Sequence, residues 1–124
     1  MRQNGQLKEY LTLHQKYLND ADALLEKGDY AQASEKLWGC TATLAKAIAT
    51  VRKKQIKSHD EITFFLTSIS NELNDKSILN VFLMANGLHQ NFYEDMLTPE
   101  VVKQGARVIK QFSKRLLSYF NLTE

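Results

Sequence analysis

The sequence predicts an all-α protein, an up-and-down bundle of about five helices with short connections. Two observations predict this fold class. The 124 residues include only 5 glycines and 1 proline, which disfavours hairpins, sandwiches and disordered linkers. Apolar residues recur at spacings of three and four along most of the chain, as they do on one face of a helix. The length suits one hydrophobic core, so a single domain over residues 1–124 is expected.

The first two helices are expected to form an antiparallel pair. An apolar stripe from Leu7 to Leu25 defines the first helix, and Gly28 ends it because glycine readily takes the left-handed C-cap conformation. Asp29 then caps the second helix after a connection of one or two residues. The second helix is apolar on most sides, which predicts a central position in the bundle.

The other three helices also begin at cap residues. Ser58 and Glu61 match a capping box before the third helix, and Asp75 can cap the fourth. Thr98 followed by Pro99 is a strong start signal for the fifth helix, because proline at the first helical position loses no needed hydrogen bond. The predicted helices lie near residues 6–27, 30–54, 59–73, 76–95 and 99–121.

Charge is zoned along the chain although the net charge is only +2. Residues 51–57 hold four basic and no acidic side chains, residues 58–100 hold one and seven, and residues 101–124 hold five and one. A net charge as small as +2 does not by itself indicate nucleic-acid binding. His89 lies in the acidic middle, where the local charge disfavours binding of RNA, so the zoning favours an interaction module.

Cysteine content and hydropathy predict a cytoplasmic protein without membrane contact. Cys40 is the single cysteine, which rules out a disulfide framework. No stretch reaches the roughly 18–20 apolar residues of a spanning helix, and the first ten residues lack the apolar region of a secretory signal. Cys40 itself lies in an alanine-rich helix and is interpreted as an inert small apolar residue.

The three histidines are the first candidates for chemistry. His14, His59 and His89 lie far apart and none has the spacing of a ligand pair, so neither a metal site nor a cofactor is expected. His14 lies within the apolar stripe of the first helix and is interpreted as a hydrogen-bonded buried or interface residue. His59 lies in the first turn of the third helix and is interpreted as part of the local capping geometry.

His89 stands out because it lies in a polar run on a predicted apolar face. Helical spacing places Asn86 and Tyr93 beside its imidazole, where either could fix its tautomer. Asn86, Gly87 and Asn91 weaken the helix without an evident gain in stability, which indicates a site. A structural hydrogen-bonding network of His89 and Tyr93 is the alternative. The predicted apolar stripe of this helix comprises Ile78, Phe82, Ala85, His89, Phe92 and Met96. The candidate ligand or partner site comprises Asn86, His89, Tyr93 and His59.

The last helix carries cations at spacings of four, three and four residues. A solvated face of an amphipathic helix explains this pattern. The alternative is a phosphate-binding surface, which the basic run from Arg52 to Lys57 would extend. The four cations are Lys103, Arg107, Lys110 and Lys114.

Two segments resemble the archaeal PaREP family of small helical proteins. They are Leu25-Glu-Lys-Gly-Asp-Tyr-Ala-Gln-Ala-Ser-Glu-Lys-Leu-Trp-Gly39 and Leu88-His-Gln-Asn-Phe-Tyr-Glu94, with Ser58-His59 between them. The PaREP proteins look like members of the HEPN superfamily (higher eukaryotes and prokaryotes nucleotide-binding). The resemblance implies an HEPN-like helical bundle that dimerises. Many HEPN domains accompany a minimal nucleotidyltransferase as a toxin and antitoxin pair, and active ones are metal-independent ribonucleases.

The ribonuclease motif of that superfamily is an arginine followed four to six residues later by a histidine. His89 matches the histidine, but Leu83–Ala85 occupy the positions of the arginine. Metal-free cleavage of RNA needs a base for the 2′-hydroxyl and a cation for the charge that builds on the phosphate. The resemblance therefore implies either a cation supplied by Arg52 or Arg107, or a degenerate site, which is the interpretation we favour.

Three functional hypotheses follow. The leading one is a non-catalytic homodimer that binds a partner protein, such as a nucleotidyltransferase, or a nucleotide-like ligand near His89. The second is a metal-independent ribonuclease with His89 as the general base. The third is nucleic-acid binding by the basic face of the last helix, with RNA as a less favoured partner.

Overall fold

The computed structural model describes residues 2–122, with side chains from Gly5 onward. Within these residues the chain forms five α-helices and no strand, so the predicted all-α fold is confirmed. The helices are α1 (Arg2–Lys27), α2 (Tyr30–Val51), α3 (His59–Leu73), α4 (Ser77–Glu94) and α5 (Pro99–Tyr119). No helix of this part of the chain is long and apolar enough to cross a membrane.

Three helix starts follow the expected cap signals. The Asp29 side chain accepts a hydrogen bond from the Gln32 amide at 3.2 Å. Ser58 and Glu61 form both bonds of a capping box. The Thr98 side chain caps α5, whose first residue is the proline. Because each cap depends on residues three positions apart, these starts are encoded locally.

The start of α4 differs in detail from the prediction. The residue that precedes α4 is Lys76, whose side chain makes no capping bond. Asp75 instead accepts the Ser77 amide at 3.0 Å and is 3.2 Å from the Arg115 guanidinium. Asp75 therefore accepts the hydrogen bond of the first amide of α4, and it does so from one position before the cap residue Lys76.

The second helix ends earlier than expected. The prediction extended it to residue 54, but Lys53 takes a left-handed backbone conformation with φ of 60°. The Lys54 amide donates to the Ala49 carbonyl at 2.8 Å, and the Lys53 amide donates to the Thr50 carbonyl at 3.0 Å. These bonds form a Schellman motif, which terminates the helix. The basic run that follows Val51 is therefore not helical.

The second helix is central, as its apolar composition predicted. It packs against each of the other four helices. Gly28, with φ of 78°, makes the turn that folds α1 back against α2. A side chain at Gly39 would come within 3.1 Å of the Tyr17 ring, so glycine permits a close approach of α1 and α2.

The buried face of α4 is rotated relative to the predicted stripe. Leu88 is 1% exposed, whereas His89 and Phe92 are only half-buried. Met96 is 63% exposed, because Asp95 takes a left-handed conformation that ends the helix before it. The prediction was therefore wrong from His89 onward. The buried residues of α4 are Ile78, Val81, Phe82, Ala85, Leu88 and Asn91.

Contacts at both ends of α2 show that α5 runs in the same direction. Near the start of α2, the Lys103 ammonium lies 5.8 Å from the centre of the Tyr30 ring. Near its end, the Arg52 guanidinium lies 5.3 Å from the centre of the Phe120 ring. The connection between α4 and α5 therefore lies at the end of the bundle where α2 begins.

Candidate functional site

Six side chains from α2, α3 and α4 meet at the surface of the bundle. They lie around Trp38, the single tryptophan of the chain, which is half-buried. The four residues of the predicted ligand or partner site are all among them. We call this group the Trp38 cluster: Glu35, Trp38, His59, Asn86, His89 and Tyr93.

Both imidazoles of the cluster stack on the Trp38 indole. The His59 ring centre lies 5.2 Å from that of Trp38 with an interplanar angle of 22°, and the His89 ring centre lies 5.0 Å away at 30°. Tyr93 meets His89 edge to face at 5.5 Å and is 71% exposed. Phe82 closes the inner side of the cluster against Trp38 and His59. The result is an aromatic surface that solvent reaches from the Tyr93 side.

Each imidazole has one nitrogen fixed by a hydrogen bond. His89 Nδ1 lies 2.7 Å from a carboxylate oxygen of Glu35, and a carboxylate accepts, so Nδ1 carries the proton. His59 Nε2 lies 2.9 Å from Asn86 Oδ1 and donates to it. His89 Nε2 and His59 Nδ1 have no hydrogen-bond partner among the described residues. These two nitrogens are available to a ligand.

The partners of His89 differ from those expected from helical spacing. Asn86 bonds to His59 on another helix, and Tyr93 contacts His89 through its ring. The hydrogen-bond partner of His89 is Glu35, which is not among the residues of the predicted site. Glu35 and Trp38 are three residues apart on α2 and so share a face, but no local pattern indicates that this face meets α4.

Asn91 belongs to the same polar run but is structural. It is fully buried, donates to Ser34 Oγ on α2 at 3.0 Å and accepts the Leu97 amide at 2.7 Å. These bonds tie the end of α4 to α2 and to the connection that follows. The polar run of α4 therefore divides into a structural residue and members of the Trp38 cluster.

His14 is buried away from the cluster, in agreement with its interpretation as a hydrogen-bonded core residue. It is 2% exposed, and its Nδ1 donates to the Cys40 carbonyl at 2.8 Å. Its Nε2 then accepts from the Ser113 hydroxyl at 2.5 Å. Burial lowers the pKa of His14, although the bond to the Cys40 carbonyl opposes this shift. Burial also raises the pKa of the Cys40 thiol to about 12, which fits an inert cysteine.

The cations proposed for phosphate binding on α5 are partly engaged within the bundle. The Lys110 ammonium pairs with Asp22 of α1 at 2.5 Å. The Arg107 guanidinium binds the Gln104 side-chain oxygen at 2.8 and 3.0 Å. Lys103 and Lys114 are exposed. The structure thus leaves this face only partly available to an anion.

Neither arginine considered as a substitute for the missing motif residue contacts the Trp38 cluster. The Arg52 guanidinium binds both carboxylate oxygens of Glu72, one of them at 2.6 Å. Arg107 is held by its own helix neighbour Gln104. Among the described residues, no group of three His, Cys, Asp or Glu side chains converges to hold a metal ion.

No curated protein matches this chain. Residues 9–113 match the archaeal PaREP1/PaREP8 family, and this span contains all five helices at least in part and the whole Trp38 cluster. The chain is a member of the archaeal PaREP1/PaREP8 family.

Proposed function

We propose that this chain is a non-catalytic module of the HEPN type that binds a nucleotide-like ligand on the Trp38 cluster. The observation that carries the proposal is the stacking of two imidazoles on one partly exposed indole, with a free ring nitrogen on each imidazole. Aromatic surfaces of this kind stack nucleobases, and the ring nitrogens supply hydrogen bonds that orient them. The five-helix fold is compatible with the HEPN superfamily.

A binding role accounts for the cluster better than catalysis does. A metal-free cleavage site needs a cation at the developing phosphate charge, and losing such a stabiliser costs on the order of 3 kcal/mol in the transition state. Arg52 and Arg107 are both engaged elsewhere. A binding site has no such requirement. The partner-protein interpretation, including a nucleotidyltransferase, uses the same exposed surface around Tyr93.

Trp38 fluorescence tests the proposal directly, because no other tryptophan contributes to the emission. We expect AMP or UMP to quench the emission in a saturable way. His89→Ala combined with Tyr93→Phe should weaken binding by about tenfold or more. His89→Ala removes one hydrogen bond and one stacking ring, which contribute about 1 kcal/mol each, and Tyr93→Phe removes the phenolic hydroxyl. Tyr119→Phe is the matched control, because Tyr119 is also exposed but lies near the opposite end of the bundle.

The proposal fails if neither nucleotide changes the Trp38 emission at millimolar concentration. It also fails if the double variant binds as tightly as the unmodified chain. A loss of affinity in Tyr119→Phe as large as that in the double variant would place the ligand elsewhere.

A ribonuclease with His89 as the general base is the second candidate. One observation favours it: Glu35 holds His89 Nδ1 at 2.7 Å and leaves Nε2 to accept a proton. A carboxylate that orients an imidazole is a common arrangement for a general base. Degradation of single-stranded RNA in EDTA that disappears in His89→Ala and falls in Glu35→Gln would support this function. Activity unchanged in His89→Ala would exclude it.

A further inference from the structure

We propose that the connection from Arg52 to Lys57, between α2 and α3, binds the phosphate backbone of a single-stranded nucleic acid and leads a base onto the Trp38 cluster. We call this connection the basic strap. The inference rests on the proposed function, since the cluster must accept a nucleobase. It adds a second contact site and specifies an oligonucleotide as the ligand.

The position of the strap follows from the two helices that it joins. His59, the first residue of α3, stacks on Trp38, which lies thirteen residues before the end of α2 at Val51. Thirteen helical residues span about 20 Å. Seven residues, 52–58, connect the two helices, and they cover that distance only when the backbone after the Schellman motif is largely extended. The strap therefore runs back along the bundle from the end of α2 to the cluster.

The strap is anchored at both ends and in the middle. The Schellman motif fixes Lys53 and Lys54 at the end of α2. Ile56 is only 7% exposed and belongs to the hydrophobic core. The Lys57 amide donates to the Glu61 carboxylate at 2.9 Å, which joins the strap to the capping box of α3. The backbone that carries the cations is therefore held in place before a ligand arrives, which lowers the entropy lost on binding.

Three of the four cations of the strap project to solvent without an ion pair in the described part of the chain. They are Lys53, Lys54 and Lys57, all exposed. Arg52 is bound by Glu72, and Lys54 is close enough to help lower the pKa of that carboxyl. The Glu61 carboxylate accepts the Lys57 and Ser58 amides, and Asp60 is the remaining acidic group beside the strap. The four cations of the strap therefore outnumber the three acidic side chains beside it.

Proximity to the Trp38 cluster favours a nucleic acid over an acidic peptide. The row of cations ends at Lys57, two residues before His59, whose ring lies on Trp38. Single-stranded nucleic acids are bound by this combination, with cations along the backbone and aromatic rings under the bases. An acidic peptide would use the cations but has no use for adjacent stacking surfaces. On α5, by contrast, Lys110 pairs with Asp22, and Arg107 is hydrogen-bonded to Gln104 of its own helix.

The test is a fluorescence anisotropy titration of the full chain with labelled 12-nucleotide oligo(U) and oligo(dT). The strap variant is Lys53→Asn with Lys54→Gln and Lys57→Gln, because asparagine tolerates the left-handed backbone at position 53. The matched control on α5 is Lys103→Gln with Arg107→Gln and Lys114→Gln, which removes the same charge. At 0.1 M salt, three lost phosphate contacts should weaken binding about 100-fold. They should also reduce the slope of log binding constant against log salt concentration by about two in magnitude.

The control variant should bind oligo(U) within about threefold of the unmodified chain. The strap proposal is overturned if neither oligonucleotide binds, if the control loses as much affinity as the strap variant, or if polyglutamate displaces oligo(U) at equal charge concentration. Circular dichroism checks that both variants are folded, and Lys57→Gln alone should still lose about fivefold. AMP or UMP quenching of Trp38 in the strap variant separates the two proposals: retained quenching with unchanged oligonucleotide affinity rejects only the strap.

Discussion

His14 and His89 show how surroundings decide what one kind of side chain can do. His14 is 2% exposed, and both of its ring nitrogens are bonded within the fold. His89 is about 29% exposed and has one nitrogen bonded to Glu35. A proton added to His14 would break the bond with the Ser113 hydroxyl or force that hydroxyl to turn. His14 therefore serves stability, whereas a ligand can reach His89.

The lowered pKa of His14 predicts a loss of stability in mild acid. The unfolded chain binds a proton at about pH 6.5, whereas the folded chain binds it only at a lower pH. The stabilisation is therefore complete above pH 6.5 and is lost as the pH falls towards the folded-state pKa. We expect the free energy of unfolding, measured with urea, to fall between pH 7.5 and pH 5, by at most about 1.4 kcal/mol per pH unit from this site.

A His14→Gln variant isolates this contribution. It should be less stable at pH 7.5 by roughly 1–3 kcal/mol, because a buried hydrogen-bond pair is disturbed. Its stability should then change less between pH 7.5 and pH 5 than that of the unmodified chain. Thr98→Ala also lowers stability but removes no titratable group, so it is the control and should keep the original pH dependence. Equal slopes for the unmodified chain and His14→Gln would contradict the assignment.

Among the helices, α3 has the start that matters for the site, because its capping box places His59. The Ser58 side chain accepts the Glu61 amide at 3.1 Å, and His59 follows immediately and stacks on Trp38. We expect Ser58→Ala to lower the free energy of unfolding by about 1 kcal/mol and to change the Trp38 emission of the folded protein. Thr98→Ala removes a comparable cap from α5 and should lower stability similarly without changing that emission. An unchanged emission in Ser58→Ala would show that the cap does not position His59.

The helix caps could be predicted because they are local, whereas the site depends on how helices dock. Ser58 and Thr98 act on residues three positions away, so the sequence contains the whole motif. Glu35 and His89 are 54 positions apart and meet only because α2 packs on α4. The choice of Leu88 over His89 for the core of α4 is likewise made by the neighbouring helices, since periodicity alone allows either face.

At the scale of the whole molecule, three of the seven exposed large apolar side chains in the described part of the chain lie close together in sequence around the connection between α4 and α5. Tyr93, Met96 and Val101 are 71%, 63% and 47% exposed. Acidic residues surround them in sequence, at Glu94, Asp95 and Glu100. An exposed apolar patch within a polar rim is typical of an interaction surface. This corner adjoins the Trp38 cluster through Tyr93, so a contact made here could also affect the ligand site.

We expect the protein to be a dimer that uses this corner, with a measurable dissociation constant in sedimentation velocity at tens of micromolar. Met96→Lys combined with Val101→Lys should weaken the dimer tenfold or more, because lysine would have to be buried in an apolar contact. Phe64→Lys is the control, since Phe64 is 73% exposed on α3, outside this corner.

The salt dependence of the dimer gives a second test. A symmetric contact brings the two acidic rims together, and salt screens their repulsion, so the dimer should tighten between 50 and 300 mM salt. A monomer at all these concentrations would contradict dimerisation, and a dimer weakened equally by Phe64→Lys would place the interface elsewhere.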